Sequence, residues 1–255
     1  TQEDAWSVIP NTNVTQLEAG KPYLTFVRGD RGINVTINGA TPTNTTLRAT
    51  GTLETGSQIS QVLSSVGEFF SLLGNPYQAI VDFNDITFSG DVNTNNLYVW
   101  NPNLNTRGGY ETITIAANQM IQPGQSFWVQ NSQTVSIPPT VEFTEAAKET
   151  TGIITTVFDD VDITRANLSL YNSDSLKLDV LQLSFEDNAN NGLDDFDGGK
   201  LANPDENLAS WSNSSILSVE RRATPQNTDV IQLSTTNYRF LNYEFRLNTS
   251  NWNPN

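Results

Sequence analysis

The chain contains no cysteine, no histidine and a single methionine, and its 13 Lys and Arg are outnumbered by 28 Asp and Glu, for a net charge of −15. The missing cysteines exclude disulfides and thiol nucleophiles. The missing histidines exclude imidazole bases and Ser-His-Asp triads, and the two absences together exclude zinc sites built from Cys and His. Basic residues this sparse do not supply the clustered Lys and Arg that neutralise phosphates, so no nucleic-acid partner and no anionic lipid surface is expected. No apolar run approaches the ~20 residues a membrane helix needs, so membrane insertion is not expected, and no signal-peptide pattern opens the chain.

The remaining composition is that of a folded protein: 255 residues, 36% hydrophobic and 16% charged. Gly, Pro, Asn and Thr recur as punctuation between short stretches rich in Val, Ile, Phe, Tyr and Thr, the spacing of a β-sandwich. Tyr243, Phe245 and Leu247 alternate with Glu244, Arg246 and Asn248, and Leu181, Leu183 and Phe185 alternate with Gln182 and Ser184. Strands with one face toward a core are expected at both places. In the run Phe127-Trp128-Val129, Phe127 and Val129 share a face and Trp128 takes the other, where packing between two layers is expected. Ile59, Val62, Leu63 and Val66 have helical spacing, enough for a turn or two of helix. The expected fold is all-β and mostly antiparallel, with one or two β-sandwich modules of jelly-roll or Ig-like type. A boundary near Pro138-Pro139 divides an N-terminal β module, 1–140, from an acidic C-terminal module, 141–255. The first holds 10 acidic and 5 basic residues (net −5) and the second 18 and 8 (net −10).

In order along the chain, Phe26-Val27-Arg28-Gly29-Asp30-Arg31, Thr45 to Leu53, Leu73-Gly74-Asn75-Pro76-Tyr77, Tyr98-Val99-Trp100, Pro123-Gly124-Gln125-Ser126-Phe127-Trp128-Val129-Gln130 and Phe143-Thr144-Glu145-Ala146 carry a resemblance. Together with Glu220-Arg221-Arg222, Asp229-Val230-Ile231 and Tyr238 to Asn248, they resemble the β-rich region upstream of the C-terminal sorting domain in Bacteroidetes surface proteins exported by the type IX secretion system. The resemblance implies a bacterial, secreted or outer-surface protein. It also implies that β-structure precedes this stretch and a sorting domain follows it, so both modules are expected to be incomplete at their outer ends. The absence of disulfides agrees with a bacterial source. Asp174-Ser175-Leu176 resembles the O-glycosylation signal of such bacteria, which makes Ser175 a candidate glycosylation site.

One polar loop stands out, Glu186 to Lys200. Asp187, Asn188, Asp194, Asp195 and Asp197 are candidate calcium ligands, because Ca²⁺ takes six to eight hard oxygens and a Gly-bearing loop can wrap them around an ion. No frame meets the EF-hand pattern: counted from Asp187, the third position is Ala189 and the twelfth Gly198. The competing reading is a solvated hairpin loop whose Asp and Asn side chains cap their own turns. Asp159, Asp160 and Asp162 form a thinner cluster of the same kind. Arg28-Gly29-Asp30 is read as a local pairing element rather than an adhesion tripeptide.

Catalysis would have to rest on carboxylates alone, as in glycoside hydrolysis, and no local motif singles out a pair such as Glu111 and Glu142. The chain is therefore expected to be no enzyme but a structural or adhesive portion of an exported surface protein. One alternative is a carbohydrate-binding module, which calls for an exposed, coplanar aromatic pair with glycans as partners. Another is cargo held by secretion or anchoring machinery or by other surface proteins.

Overall fold

The computed structural model describes residues 6–34, 36, 41, 43–48, 50–150 and 165–250. Asp159, Asp160 and Asp162 lie outside this set. Among the described residues 39% are in strands and none in α-helix, so the fold is all-β, built almost wholly of antiparallel pairs. Residues 6–34 form no regular strand.

In chain order the strands are β1 (Gln58–Val62), β2 (Phe70–Gly74), β3 (Val81–Asp82), β4 (Thr87–Ser89), β5 (Val92–Asn101), β6 (Gly109–Thr114), β7 (Met120–Ile121), β8 (Ser126–Asn131) and β9 (Thr140–Phe143). They continue as β10 (Arg165–Asn172), β11 (Lys177–Phe185), β12 (Gly198–Gly199), β13 (Asn207–Ser212), β14 (Ser215–Arg222), β15 (Leu233–Thr236) and β16 (Tyr243–Ser250). The first module is a sandwich. A four-stranded sheet, β2-β8-β5-β6, faces a three-stranded sheet, β1-β9-β4, and the short β3-β7 pair.

Alternation sets what lies between these layers. Leu73, Leu97, Val99, Ile113, Phe127 and Val129 point inward from the four-stranded sheet and meet Tyr77, Val81, Phe83, Ile121, Val141 and Phe143. Phe127 and Val129 enter this core as expected, and Trp128 faces the other way. Between β7 and β8, Gln125 N–H bonds to Gln122 O at 3.0 Å across Pro123-Gly124, with Gly124 at φ +74°. That is the chemistry of a type II turn, proline in the second position and a residue with positive φ in the third. The spacing of Ile59, Val62, Leu63 and Val66 does not give a helix. Gln58–Val62 is a strand because it pairs with β9 at the rim of the sandwich; Val62 and Val66 are exposed, and Leu63, just past the strand's end, is buried.

The second module is one large sheet in the order β15-β13-β14-β11-β10-β16, with β12 also paired to β14. All its pairings are antiparallel except β11 with β14. Ala166, Leu170, Leu178, Leu181, Leu183, Phe185 and Leu208 are buried on one face, packed against Ile231, Phe240 and Tyr243. Tyr243 joins this core, but Phe245 and Leu247 do not. Their alternation is kept, yet they are 46% and 64% exposed, because β16 is an edge strand that the cover from Ile231 and Phe240 does not span.

Candidate functional site: the seam and cleft between the modules

The four-stranded sheet has a second face, and it carries polar and aromatic groups. Asn96, Tyr98, Trp100, Tyr110, Thr112, Trp128 and Gln130 project there by the same alternation that sends their neighbours into the core. This face meets the second module along β12 and β14. A bulge in β5 opens the contact: five steps along β5 (Asn93 to Tyr98) oppose two along β8 (Gln130 to Trp128). A bulge of this kind re-aims side chains and ends ladder pairing. Here it frees three amides to read the acidic loop. Asn93, Asn95 and Asn96 donate through Nδ2 to the carbonyls of Asp197 (3.1 Å), Asp195 (3.0 Å) and Phe196 (3.3 Å).

The loop nominated above for calcium is therefore docked against the first module through its backbone. Its side chains turn inward or stay local. Asp197 is buried, with Oδ1 accepting from Arg221 N–H and Oδ2 from Asp194 N–H, both at 2.8 Å. Burial raises its pKa to about 6, with the negative charges of Asp194 and Glu220 adding to the shift against these two hydrogen bonds. Asp194 caps Phe196 N–H, and Asp187 accepts from the Thr224 hydroxyl. Asp195 meets Asn95 only through its carbonyl, and Asn188 is exposed. Among the described residues no three Asp or Glu side chains are gathered into one group. Within the loop, Asn190, Asp197 and Asp194 accept from the N–H groups of Gly192, Asp194 and Phe196, local turn-capping bonds, while Asp187 and Asn191 accept from Thr224 and Ala223 outside it.

Next to the docked loop the packing around Gly199 is tight. Gly199 N–H donates to Gln130 Oε1 at 2.9 Å, where the Tyr98 hydroxyl also donates at 2.9 Å. A Cβ on Gly199 would lie 2.3 Å from Gln130 Nε2. Thr112 and Ser218 hydroxyls meet across the seam at 2.6 Å.

Farther along the seam two buried carboxylates close it. Asp205 takes both Arg107 and Arg239, and Glu206 takes Arg239, Asn105 Nδ2 (3.0 Å) and the Tyr243 hydroxyl (3.1 Å). Asn105, in the left-handed region at φ +61°, carries its side chain from the first module into the second, and its N–H donates to Lys177 O at 2.8 Å. Burial alone would raise the Glu206 pKa. Hydrogen bonds from Arg239 and Asn105, with those of its own backbone and Tyr243, outweigh burial and hold it at about 2.

Where the large sheet extends past β6, it leaves a cleft of about 410 Å³, lined by β6 on one side and by the polar face of β11, β10 and β16 on the other. This is the face opposite the second core. Four of the chain's 13 basic residues line it, Arg165, Lys177, Lys200 and Arg246, against one acid, Glu111. Lys200 is held by both oxygens of buried Asp179 at 2.8 and 2.6 Å, and the Arg246 guanidinium lies over the Tyr171 ring at 4.1 Å while pairing with Glu244.

The remaining sequence candidates are separate from this cleft or at its margin. Ser175 lies at φ +60° in the exposed turn between β10 and β11, its Oγ accepting from Arg246 at 3.1 Å. Glu111 accepts from Asn101 Nδ2 at 2.6 Å, and Glu142, past the boundary expected at residue 140, lies on β9, which pairs with β1 and β4 of the first module. Arg28 donates to the carbonyls of Arg31 and Ile33, and Asp30 accepts from Gly32 N–H, a local turn. Trp128 is half-buried and edge-on to Tyr110, which is edge-on to Trp100; the interplanar angles are 90° and 79°. Ring pairs in contact among the described residues lie at 40° to 90°, none of them coplanar. Charge spacing alone did not expose the carboxylate clasp, because its partners lie between about thirty and a hundred residues apart. Asn105, Arg107, Asp205 and Glu206 look like ordinary loop residues. No family model, no curated protein and no solved structure matches the chain.

Proposed function

We propose that this chain is a non-catalytic structural or adhesive segment of a secreted or outer-surface bacterial protein, exported through the type IX secretion system. The observation that carries the reading is the seam. A sandwich and a large sheet joined through docked backbone, interlocked amides and a buried carboxylate clasp transmit force as one body, as a surface stalk must. Flexibly linked modules would share few contacts at their boundary. The acidic surface suits an exposed protein, since net charge far from zero keeps it soluble and unassociated. The exposed turn of Asp174-Ser175-Leu176 is accessible to a glycosylating enzyme.

Protease shaving of intact source cells, followed by peptide mapping, tests this reading. Peptides of this chain released from wild-type cells, and lost from the surface when type IX export is disabled, are the expected result. Retention of the chain inside intact wild-type cells contradicts it.

A further inference from the structure

We propose that the cleft between β6 and the β11-β10-β16 face is a binding site for an anionic oligosaccharide, a short polyhydroxylated chain bearing carboxylate or sulfate groups. This goes beyond the structural role above and does not depend on it.

Strand register lays out the cleft floor. Gln182 pairs with Asn167 and Asn167 with Asn248, so three side-chain amides from β11, β10 and β16 stand side by side, with strands about 4.8 Å apart. Two residues along β10, Ser169 stands beside Arg246, and Tyr171 after it stands beside Lys177. At the other end of β10 is Arg165. Arg165 and Ser169 are four residues apart, about 13 Å of strand. Cationic groups thus mark the two ends of the cleft along the strands, on either side of the amide row, with Thr112 and Thr114 on the opposing β6 wall and Ser218 on β14 beside the floor.

Each part of the pattern selects a ligand property. Amides and hydroxyls supply paired donors and acceptors, which suit sugar hydroxyls and reward no apolar body. Val180 and Ile113 are the only aliphatic residues of the lining, so a hydrophobic ligand gains little. The cations at the ends make charge-assisted hydrogen bonds to carboxylate or sulfate oxygens. Lys177 is available for this, since among the described residues it has no ion pair. The volume falls in the range of small-ligand sites, about 300–1,000 Å³. In a chain of net charge −15 the surrounding field repels anions, so capture of one requires a local site of this kind.

Calorimetric titration of the full chain tests the proposal, using oligogalacturonate, sulfated dextran, neutral dextran and poly-glutamate as probes. The variants are Lys177→Glu at a cationic end, Asn248→Ala in the amide row, and Lys21→Glu as a control of equal charge change far from the cleft. Thermal midpoints confirm that each variant is folded. The expected result is binding of oligogalacturonate or sulfated dextran, which distinguishes carboxylate from sulfate as the recognised group. That binding is weakened at least tenfold by Lys177→Glu and by Asn248→Ala, is unchanged in Lys21→Glu, and is absent for neutral dextran. No binding of either anionic saccharide overturns the proposal, as does binding that Lys177→Glu leaves intact. Equal, competing binding of poly-glutamate overturns the assignment to a saccharide.

Discussion

Arg239 reaches Glu206 with two of its guanidinium nitrogens, Nε at 3.2 Å to both carboxylate oxygens and NH2 at 2.8 Å to one, while Glu206 itself is fully buried. A carboxylate taken wholly out of water is tolerated only when paired and hydrogen-bonded, and removing one partner leaves the charge uncompensated. Arg239→Ala is therefore expected to destabilise the protein by about 3–5 kcal/mol. Arg107→Ala is expected to cost about 1 kcal/mol or less, because Arg107 is half-exposed and Asp205 keeps Arg239 as its second partner. Denaturant midpoints of the two variants check the ranking.

The seam also has an acid response whose sign follows from two carboxylates. Asp197 has its pKa raised by burial to about 6, from an ordinary 3.8. Between these values the folded state holds a proton that the unfolded state has lost, so stability falls as pH rises from about 4 to 6. Glu206, held at about 2 against an ordinary 4.5, acts the other way. Its contribution is present above about 4.5 and is lost as pH falls toward 2. Stability measured by urea unfolding is expected to be higher near pH 5 than at pH 7 and to drop steeply below 4. In Asp197→Asn the slope between pH 4 and 6 is expected to flatten.

Gly199 is the tightest point of the docked loop. Its replacement by alanine pushes a methyl into Gln130, whose Oε1 accepts from both Gly199 N–H and Tyr98 and whose Nε2 donates to the Glu68 carbonyl at 3.2 Å. Overpacking of this kind costs about 1–3 kcal/mol. Gly124→Ala meets open space but sits at φ +74°, so it is expected to cost through the turn alone, about 1 kcal/mol. Thermal unfolding of the two variants separates seam strain from turn strain.

Ser175 is the site where a covalent mark is expected on native material. Intact mass and peptide mapping of the chain from its source are expected to place a glycan on Asp174-Ser175-Leu176, and Ser175→Ala is expected to remove it. Since Ser175 Oγ accepts a hydrogen bond from Arg246, a glycan there replaces that contact at the margin of the cleft.

Much of the fold could be read from alternation, because a period of two is a local property. Leu181, Leu183 and Phe185 are buried, Phe127 and Val129 are opposed to Trp128, and the Pro123-Gly124 turn stands where its residues require one. Alternation does not say whether a face is covered. Phe245 and Leu247 have the pattern of core residues but lie on the sheet's edge beyond the reach of Ile231 and Phe240. The site was legible in part. The Asp- and Asn-rich loop stood out by composition, but its docking partners, Asn93, Asn95 and Asn96, lie about a hundred residues upstream and act through a bulge that no local pattern marks. The cleft's amide row depends on the register of three strands, two adjacent in sequence and one some eighty residues later.

If the seam makes the two modules a single unit, differential scanning calorimetry of the full chain with and without Arg239→Ala will show it. One cooperative transition is expected for the wild type, with calorimetric and van't Hoff enthalpies that agree, and a lowered or split transition when Arg239 is removed. Two independent transitions in the wild type, with Arg239→Ala shifting neither, would contradict it.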